Sequence, residues 1–551
     1  MAVVNFDRKE LNSLMGKRLT DDVLENEAPM MGCDVEVVNE DSVEIEIFPN
    51  RPDLLSVEGF ARSFRQFLGI SKGLVNYDVK EGDLKLNVDS SVEEVRPCVS
   101  GGAIRNVELT EGILRSLMQV QEKIHATFGR GRRKVAIGIH DMKNIEDPFT
   151  YKAVEPESVE FVPLQSEEKM NLLEIKEKHP KGKYASIVEG NDRWPIIVDR
   201  DEQVLSFPPV INGTITKLTE DTEDIFIDVT GTDQQAVDQA LNLIVTELIE
   251  RGAEAESVSV RGIKRPDLNP GKIGVDLGYI NRLLNLNLSE GELEELLSGM
   301  GFGYEDGTVL VPCYRVDIMH PIDIVEDLAI SYGYENFNPK LPDVGGVGNP
   351  NDLEEFTDEI RDLMVGFGFQ EVMTPVLSNR DKQFTKMDLE KRKVIEAEKP
   401  LSENYNVCRR KLLPGLLGVL EENKHRSYPQ KIFETGDVVV PGKGRTGGMN
   451  RRKVAGAVSA KRINYADLAS VVDSIMGIIG VEFEIEESKS SLFMENRGAK
   501  IIVYGEEIGK LGEIHPKVLE NWVLEKPTVV FELNLDSIMK LKHHNGTQEK
   551  G

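Results

Sequence analysis

The sequence predicts a multidomain protein of mixed α+β and α/β class, on three observations. At 551 residues the chain is too long for one hydrophobic core, which favours several domains. Its apolar residues switch repeatedly between the spacing of strands and that of helices. Between Leu341 and Pro350, Gly345-Gly346, Gly348 and flanking prolines make the clearest linker in the chain. The expected units are an N-terminal α+β domain (1–78), an α/β domain (79–262), a small winged-helix-like module (267–345), a mostly antiparallel sheet with helices (351–542) and a disordered tail (543–551).

Each element has a local reason. In the first unit a helical pattern covers 8–15 and alternation marks a strand over 42–48; Pro49, Asn50, Pro52 and Asp53 then force a bend before a helix packed closely at Gly59. In the second, strands are expected at 99–107, 134–139, 184–189, 196–199 and 225–228, with helices at 111–128 and 234–251. The third opens with a strand (272–276) and a helix (277–284). Its next helix (289–300) starts at Ser289 with Glu292 three residues on, a capping box. A strand (308–311) and an acidic helix starting near Pro321 complete it. The fourth begins with a helix (353–365) and continues with strands at 431–434, 454–459, 499–503, 507–511 and 528–533.

The 66 basic and 95 acidic residues give a net charge of −29. That balance argues for a soluble protein and against tight nucleic-acid binding by charge alone, so an RNA ligand would draw its cations largely from another subunit. The loop Gly129-Arg-Gly-Arg-Arg-Lys134 is the clearest basic cluster, and suits a surface turn as well as a phosphate contact. Cys33, Cys98, Cys313 and Cys408 have no metal or redox spacing, as in a reducing compartment. With no signal peptide and no apolar run near the ~20 residues of a membrane span, a cytoplasmic protein without membrane contact is expected. Rossmann and P-loop glycine motifs are absent from the sequence.

The stretch Asp317-Ile-Met-His-Pro-Ile-Asp323-Ile-Val-Glu326-Asp327 carries the most chemistry. On a helix Asp323, Glu326 and Asp327 share an arc that Asp317 reaches from the preceding turn, an oxygen set suited to a hard divalent cation such as magnesium. Acids in a first turn also simply offset the helix dipole, and a polar arc is ordinarily solvated. Ile330, near the acidic centre, suggests that another surface covers this face.

Taken together and in order, four segments resemble one family, the beta subunits of phenylalanine–tRNA ligase in their shorter archaeal and eukaryotic form. Asn50-Arg-Pro-Asp53 with Ser56-Val-Glu-Gly59 and Arg62 resembles the N-terminal signature. Phe207-Pro-Pro-Val-Ile-Asn-Gly213 and Asp228-Val-Thr-Gly-Thr232 resemble the editing domain, the four acids the magnesium ligands, and Gly512-Glu-Ile-His-Pro516 the C-terminal part. The resemblance implies an aminoacyl-tRNA ligase subunit that joins alpha subunits in a heterotetramer, two of each, and through that complex uses ATP to attach phenylalanine to tRNA(Phe). It further implies Mg2+ held by Asp317, Asp323, Glu326 and Asp327 at a site shared with the alpha subunit, with Ile330 in the dry part of that contact. As the resemblance is to the shorter form, the appended oligonucleotide-binding domain and C-terminal anticodon-binding module of the longer bacterial form are not expected.

The last domain resembles a class II synthetase fold, with Phe369-Gln-Glu-Val-Met-Thr-Pro375 similar to its first motif. Lys431-Ile-Phe-Glu434 keeps the strand and glutamate of the second motif but has Ile432 where a phosphate-binding arginine belongs, and 529–536 lacks the third motif's Gly-rich Glu-Arg signature. Without those guanidinium groups, charge building on a transferring phosphate is not offset. The domain is therefore expected to be non-catalytic, with adenylation on the alpha subunit.

A pocket for a phenyl ring rejects a substrate that only adds a hydroxyl by no more than ~100-fold, so mischarging with tyrosine is expected. A second pocket that hydrogen-bonds that hydroxyl rejects phenylalanine far better, because its polar groups would go unpaired. The resemblance puts this hydrolytic pocket in the α/β domain. Ser206, Asn212, Asp228 and Thr230 are the candidates to orient the ester, a water or the tyrosine hydroxyl; Asn212-Gly213 and Thr230-Gly231 are also ordinary turn pairs. No Ser–His–Asp constellation is legible, and His140 and His179 have no obvious partner, so a positioned water is the expected nucleophile. A non-catalytic RNA-associated scaffold and a free-standing aminoacyl-tRNA deacylase stand as alternatives.

Overall fold

In the N-terminal region alternate residues are apolar, and strands result. Val4 and Phe6 of Ala2–Asp7 and Val43, Ile45 and Ile47 of Ser42–Ile47 are buried, and the two strands pair antiparallel, with Asp34–Val38 on the other side of Ser42–Ile47. The bend follows, and helix Val57–Phe67 starts from a Ser56 cap. Gly59 packs as closely as expected, since a Cβ there would stand 1.8 Å from the Asp53 carbonyl oxygen. The computed structural model describes residues 2–342, 344–346 and 348–548, the backbone alone over 543–548. The chain divides into two compact units, Met1–Leu341 and Pro342–Gly551, parted within the expected linker.

The first unit is dominated by an eleven-stranded sheet. Strand Ile225–Gly231 runs antiparallel between Cys98–Arg105 and Val135–Asp141. Its Ile225, Ile227 and Val229 pack with Val237, Leu241 and Ile244 of helix Gln234–Glu250, which turns Phe226, Asp228 and Thr230 to the opposite face. One expected strand is corrected: 184–189 is not a strand but the end of a 3-10 helix, Gly182–Ile187, and the turn after it, with Ala185 and the C-cap Val188 buried three residues apart, the repeat of that helix. A three-stranded sheet (Gly271–Gly274, Gly303–Glu305, Thr308–Val311) and helices Leu277–Leu284, Glu290–Gly299 and Pro321–Tyr332 enclose a separate core. The Ser289–Glu292 capping box forms.

The second unit is a seven-stranded sheet, antiparallel except where the edge strand Gln370–Glu371 pairs with Gln430–Pro441. Helices Asp352–Gly366 and Tyr465–Ile478 contribute to one of its apolar clusters; Leu413–Glu422 and Trp522 contribute to another. Helix Leu535–Gln548 continues over 543–548, where a disordered tail was expected, and 549–551 lie outside the described residues. Among the described residues no helix is long and apolar enough to cross a membrane.

Candidate functional site

Two strand relationships bring the four predicted hydrolytic residues together. Asp228 and Thr230 are two apart on the buried strand Ile225–Gly231 and so share a face. Ser206 and Asn212 are directly paired across the antiparallel strands Val204–Phe207 and Ile211–Asn212. All four line one cavity of about 190 Å³, with Gly138, His125 and Arg132 among its other walls. Arg132, from the basic loop, is buried rather than free for phosphate: its Nη1 donates to the carbonyls of Pro209 (3.0 Å) and Val210 (2.9 Å), and its Nη2 to Glu122 (2.6 Å). It pins the turn between the paired strands to the cavity wall.

Asp228 has a partner that the sequence did not reveal. His140 Nε2 lies 2.6 Å from Asp228 Oδ2, and its Nδ1 lies 2.8 Å from Thr216 Oγ1, which is 3.2 Å from the Gly213 carbonyl oxygen. With Thr216 donating to Nδ1, the ring's proton sits on Nε2 and is donated to Asp228 Oδ2. The pair is buried, so the bond is stronger than it would be in water and fixes the carboxylate. Gly138 lies opposite Asp228 in the ladder, and a Cβ there would meet Oδ2 at 2.0 Å and His140 Nε2 at 2.7 Å. Only glycine leaves the two side chains room to meet.

Arg96 prepares the second residue. Its Nε donates to Thr230 Oγ1 (3.0 Å) and its Nη2 to the Thr230 carbonyl (2.7 Å), so the Thr230 hydroxyl is left to donate its own proton elsewhere. Burial lowers the Arg96 pKa to about 10, still well above neutral pH, so it stays cationic near Asp228. Asn212 donates to the Ile139 carbonyl at 3.2 Å, and Ser206 Oγ is buried without a hydrogen-bond partner among the described residues. With no base hydrogen-bonded to it, the Ser206 hydroxyl lacks the activation a nucleophile requires. His125 was also missed. Its pKa is pushed well below 6.5 by burial, then by Arg132, Lys181 and Arg96, and its Nε2 accepts from Ile137 N–H at 2.8 Å, so the ring's proton sits on Nδ1. His179 is structural, its Nε2 2.9 Å from the Leu164 carbonyl.

The four acids of the third module do not converge as their spacing suggested. Asp317 and Asp327 close on Arg315, at 2.9 and 2.7 Å from Asp317 and 2.5 Å from Asp327, in a setting where all three are largely buried. Asp323 Oδ2 accepts from the backbone N–H groups of Met319 and His320, and Glu326 accepts from the Tyr334 hydroxyl at 3.0 Å. The missed residue is Arg315, whose guanidinium supplies the positive charge that Asp317 and Asp327 close on. Among the described residues no group of three or more His, Cys, Asp or Glu side chains is placed to hold a metal ion. Asp323 and Glu326 each keep an oxygen free of the bonds described and fit the one or two carboxylates that magnesium takes; Asp317 and Asp327 fit only if Arg315 yields. Ile330 is half-buried, and its Cδ1 lies 3.9 Å from where a Cβ on Gly32 would stand, so part of its side chain is met by this same chain.

In the second unit Ile432 is buried in an apolar cluster with Leu412, Leu416, Val530 and Trp522. Glu434 is satisfied by Arg409 Nη1 (2.6 Å) and by the hydroxyl (2.7 Å) and N–H (3.1 Å) of Thr374. Glu532 accepts from Lys453 (2.7 Å) and from the N–H groups of Leu412 and Leu413. Glu434, the glutamate of the second-motif resemblance, and Glu532 are thus both committed internally.

Comparison with known proteins gives three family matches: "Phenylalanyl tRNA synthetase beta chain CLM domain" over 338–535, "tRNA synthetase B5 domain" over 273–334 and "B3/4 domain" over 113–259. The chain is 42% identical over 557 residues to a phenylalanine–tRNA ligase beta subunit of Methanococcus maripaludis (97% of this chain, 100% of that one). It is 42% identical to that of Archaeoglobus fulgidus over 552 residues (98% of each) and 40% identical to that of Methanocaldococcus jannaschii over 551 (97% and 100%). An N-terminal fragment of the phenylalanyl-tRNA synthetase beta-subunit from Pyrococcus horikoshii matches with a TM-score of 0.58 and 38% identity, covering 60% of this chain and 99% of that fragment.

Proposed function

The chain belongs to the phenylalanine–tRNA ligase beta-subunit family, and from that premise we propose that it removes tyrosine from mischarged tRNA(Phe) while an alpha subunit performs the ATP-dependent charging with phenylalanine. The observation that carries the hydrolytic reading is the meeting of Ser206, Asn212, Asp228 and Thr230 in one cavity, with Asp228 held by His140. In this reading Asp228 Oδ1, free of the bond to His140, accepts a proton of a water and aims its oxygen at the ester carbonyl carbon. The Thr230 hydroxyl donates to the ester or its developing oxyanion. The ester C–O bond breaks, the ribose oxygen takes a proton, and tyrosine leaves. Ser206 and Asn212 supply polar contacts to the substrate, and positioning does most of the work.

The Ile432 environment and the closed pairs at Glu434 and Glu532 support a non-catalytic synthetase-like domain, which leaves adenylation to the alpha chain in a cytoplasmic heterotetramer of two alpha and two beta subunits. Asp323 and Glu326 are this chain's available ligands for a Mg2+ shared with the alpha subunit, joined by Asp317 and Asp327 when Arg315 releases them. Bound there, the ion would neutralise carboxylate charge at the subunit contact. Unchanged metal content and assembly after Asp323→Ala and Asp327→Ala would dispose of that site. For the hydrolytic reading, the alpha–beta complex is given tyrosyl- and phenylalanyl-tRNA(Phe), and faster release of tyrosine by about tenfold or more is expected. Equal rates would refute selectivity, and no hydrolysis by any complex containing the chain would instead favour a scaffold.

A further inference from the structure

A groove of about 690 Å³ in the second unit, far roomier than the 190 Å³ hydrolytic cavity, has no part in the chemistry above. Strands Gln430–Pro441 and Gly448–Ser459 are antiparallel with Lys431 opposite Val458, so the start of one and the exit of the other share one end of the sheet. That register brings Lys431, Lys461 and Arg462 into a single lining with Tyr428 and Phe369. The three cations are exposed, and none is ion-paired among the described residues. Lys431 Nζ lies 5.8 Å from the Phe369 ring centre. The one carboxylate in the lining, Asp467, is engaged by Asn464 N–H at 2.9 Å in the capping box of helix Tyr465–Ile478. Lys424, His425 and Arg426, also exposed, come just before Tyr428. In a chain of net charge −29 this is a local excess of cations, three against the one carboxylate of Asp467, beside the half-buried Tyr428 ring.

We infer that this groove seats a stretch of RNA phosphodiester backbone, with Lys431, Lys461 and Arg462 on successive phosphates and Tyr428 packed against a base or ribose. Free cations gain most from phosphate because they release its condensed counterions, and an aromatic face stacks on any base. The inference rests on the reading that the chain serves a transfer RNA. The alpha–beta complex carrying Lys431→Gln, Lys461→Gln and Arg462→Gln is compared with the parent for tRNA(Phe) affinity between 50 and 200 mM salt, together with KM for tRNA and for phenylalanine. Neutralising three phosphate contacts lowers the slope of log affinity against log salt by about 2–3 and raises KM for tRNA, while KM for phenylalanine and ATP–pyrophosphate exchange stay unchanged. Tyr428→Ala weakens binding with the slope preserved. An unchanged slope and KM in a parent complex that binds tRNA overturns the groove assignment alone. Loss of alpha-subunit association with tRNA affinity intact also overturns it, and marks a seat for an acidic protein surface. A parent complex that binds no tRNA defeats the underlying reading instead.

Discussion

Replacing Gly138 with alanine tests how the hydrolytic cavity is built without removing any polar group from it. The added Cβ would sit 2.0 Å from Asp228 Oδ2 and 2.7 Å from His140 Nε2, both of which are buried. Ordinary contact begins near 3.4 Å, so the carboxylate must retreat by about 1.4 Å, enough to break its 2.6 Å bond to His140. A displacement of about 1 Å at a reacting centre costs ~100-fold in rate, and overpacking of this kind costs about 1–3 kcal/mol of stability. The assay is single-turnover release of tyrosine from tyrosyl-tRNA(Phe) by the alpha–beta complex, with phenylalanine charging and thermal unfolding followed in parallel. Deacylation is expected to fall by about two orders of magnitude while charging holds. A folded variant that deacylates within twofold of the parent would refute the claim that the Asp228–His140 geometry matters.

Three further outcomes are expected. Arg315→Leu strands the Asp327 carboxyl, already raised in pKa chiefly by burial, without its partner, and unfolding measurements should show a loss of about 3–5 kcal/mol; a neutral result would mean that Arg315 does not organise the acids. Glu532 is held at a pKa of about 2 by Lys453 and Lys411 against the raising effect of burial. Its depressed folded value contributes on the order of 3 kcal/mol above the unfolded pKa near 4.3, and that contribution is lost as pH falls from there through 2. In a Trp194→Phe background, urea unfolding read at buried Trp522 should show the gap between parent and Glu532→Gln narrowing below pH 4, and a constant gap would refute the linkage. The chain without its alpha partner should give no phenylalanine-dependent ATP–pyrophosphate exchange, with or without Ile432→Arg, because that position is packed in an apolar core; exchange by the chain alone would contradict the domain's inactive reading.

Periodicity made most elements legible, since each strand or helix buries its own face: 277–284 and 308–311 match the observed elements residue for residue. It failed at Gly182–Ile187, where a 3-10 repeat imitates alternation over so short a run. The four residues proposed for hydrolysis stood out as short polar groups expected on strand ends or turns, although Asp228 and Thr230 lie within strand Ile225–Gly231, and His140 was not tied to Asp228, 88 residues away, because only sheet register joins them. A clue was available in the alternation of Val135–Asp141, which sets Ala136, Gly138 and His140 on one face. The pairing of the acids of 317–327 was not legible, because helical spacing takes no account of Arg315 just upstream, whose buried guanidinium engages Asp317 and Asp327.

In the proposed division of labour, hydrolysis of the wrong product and charging with the right amino acid occupy different chains of one complex. Asp228→Ala in the alpha–beta complex measures both at once. Tyrosine release from tyrosyl-tRNA(Phe) is expected to drop by about 100-fold or more while the rate of phenylalanine attachment stays at the parent value. Undiminished tyrosine release, or a parallel loss of both activities in a properly assembled complex, would contradict the account.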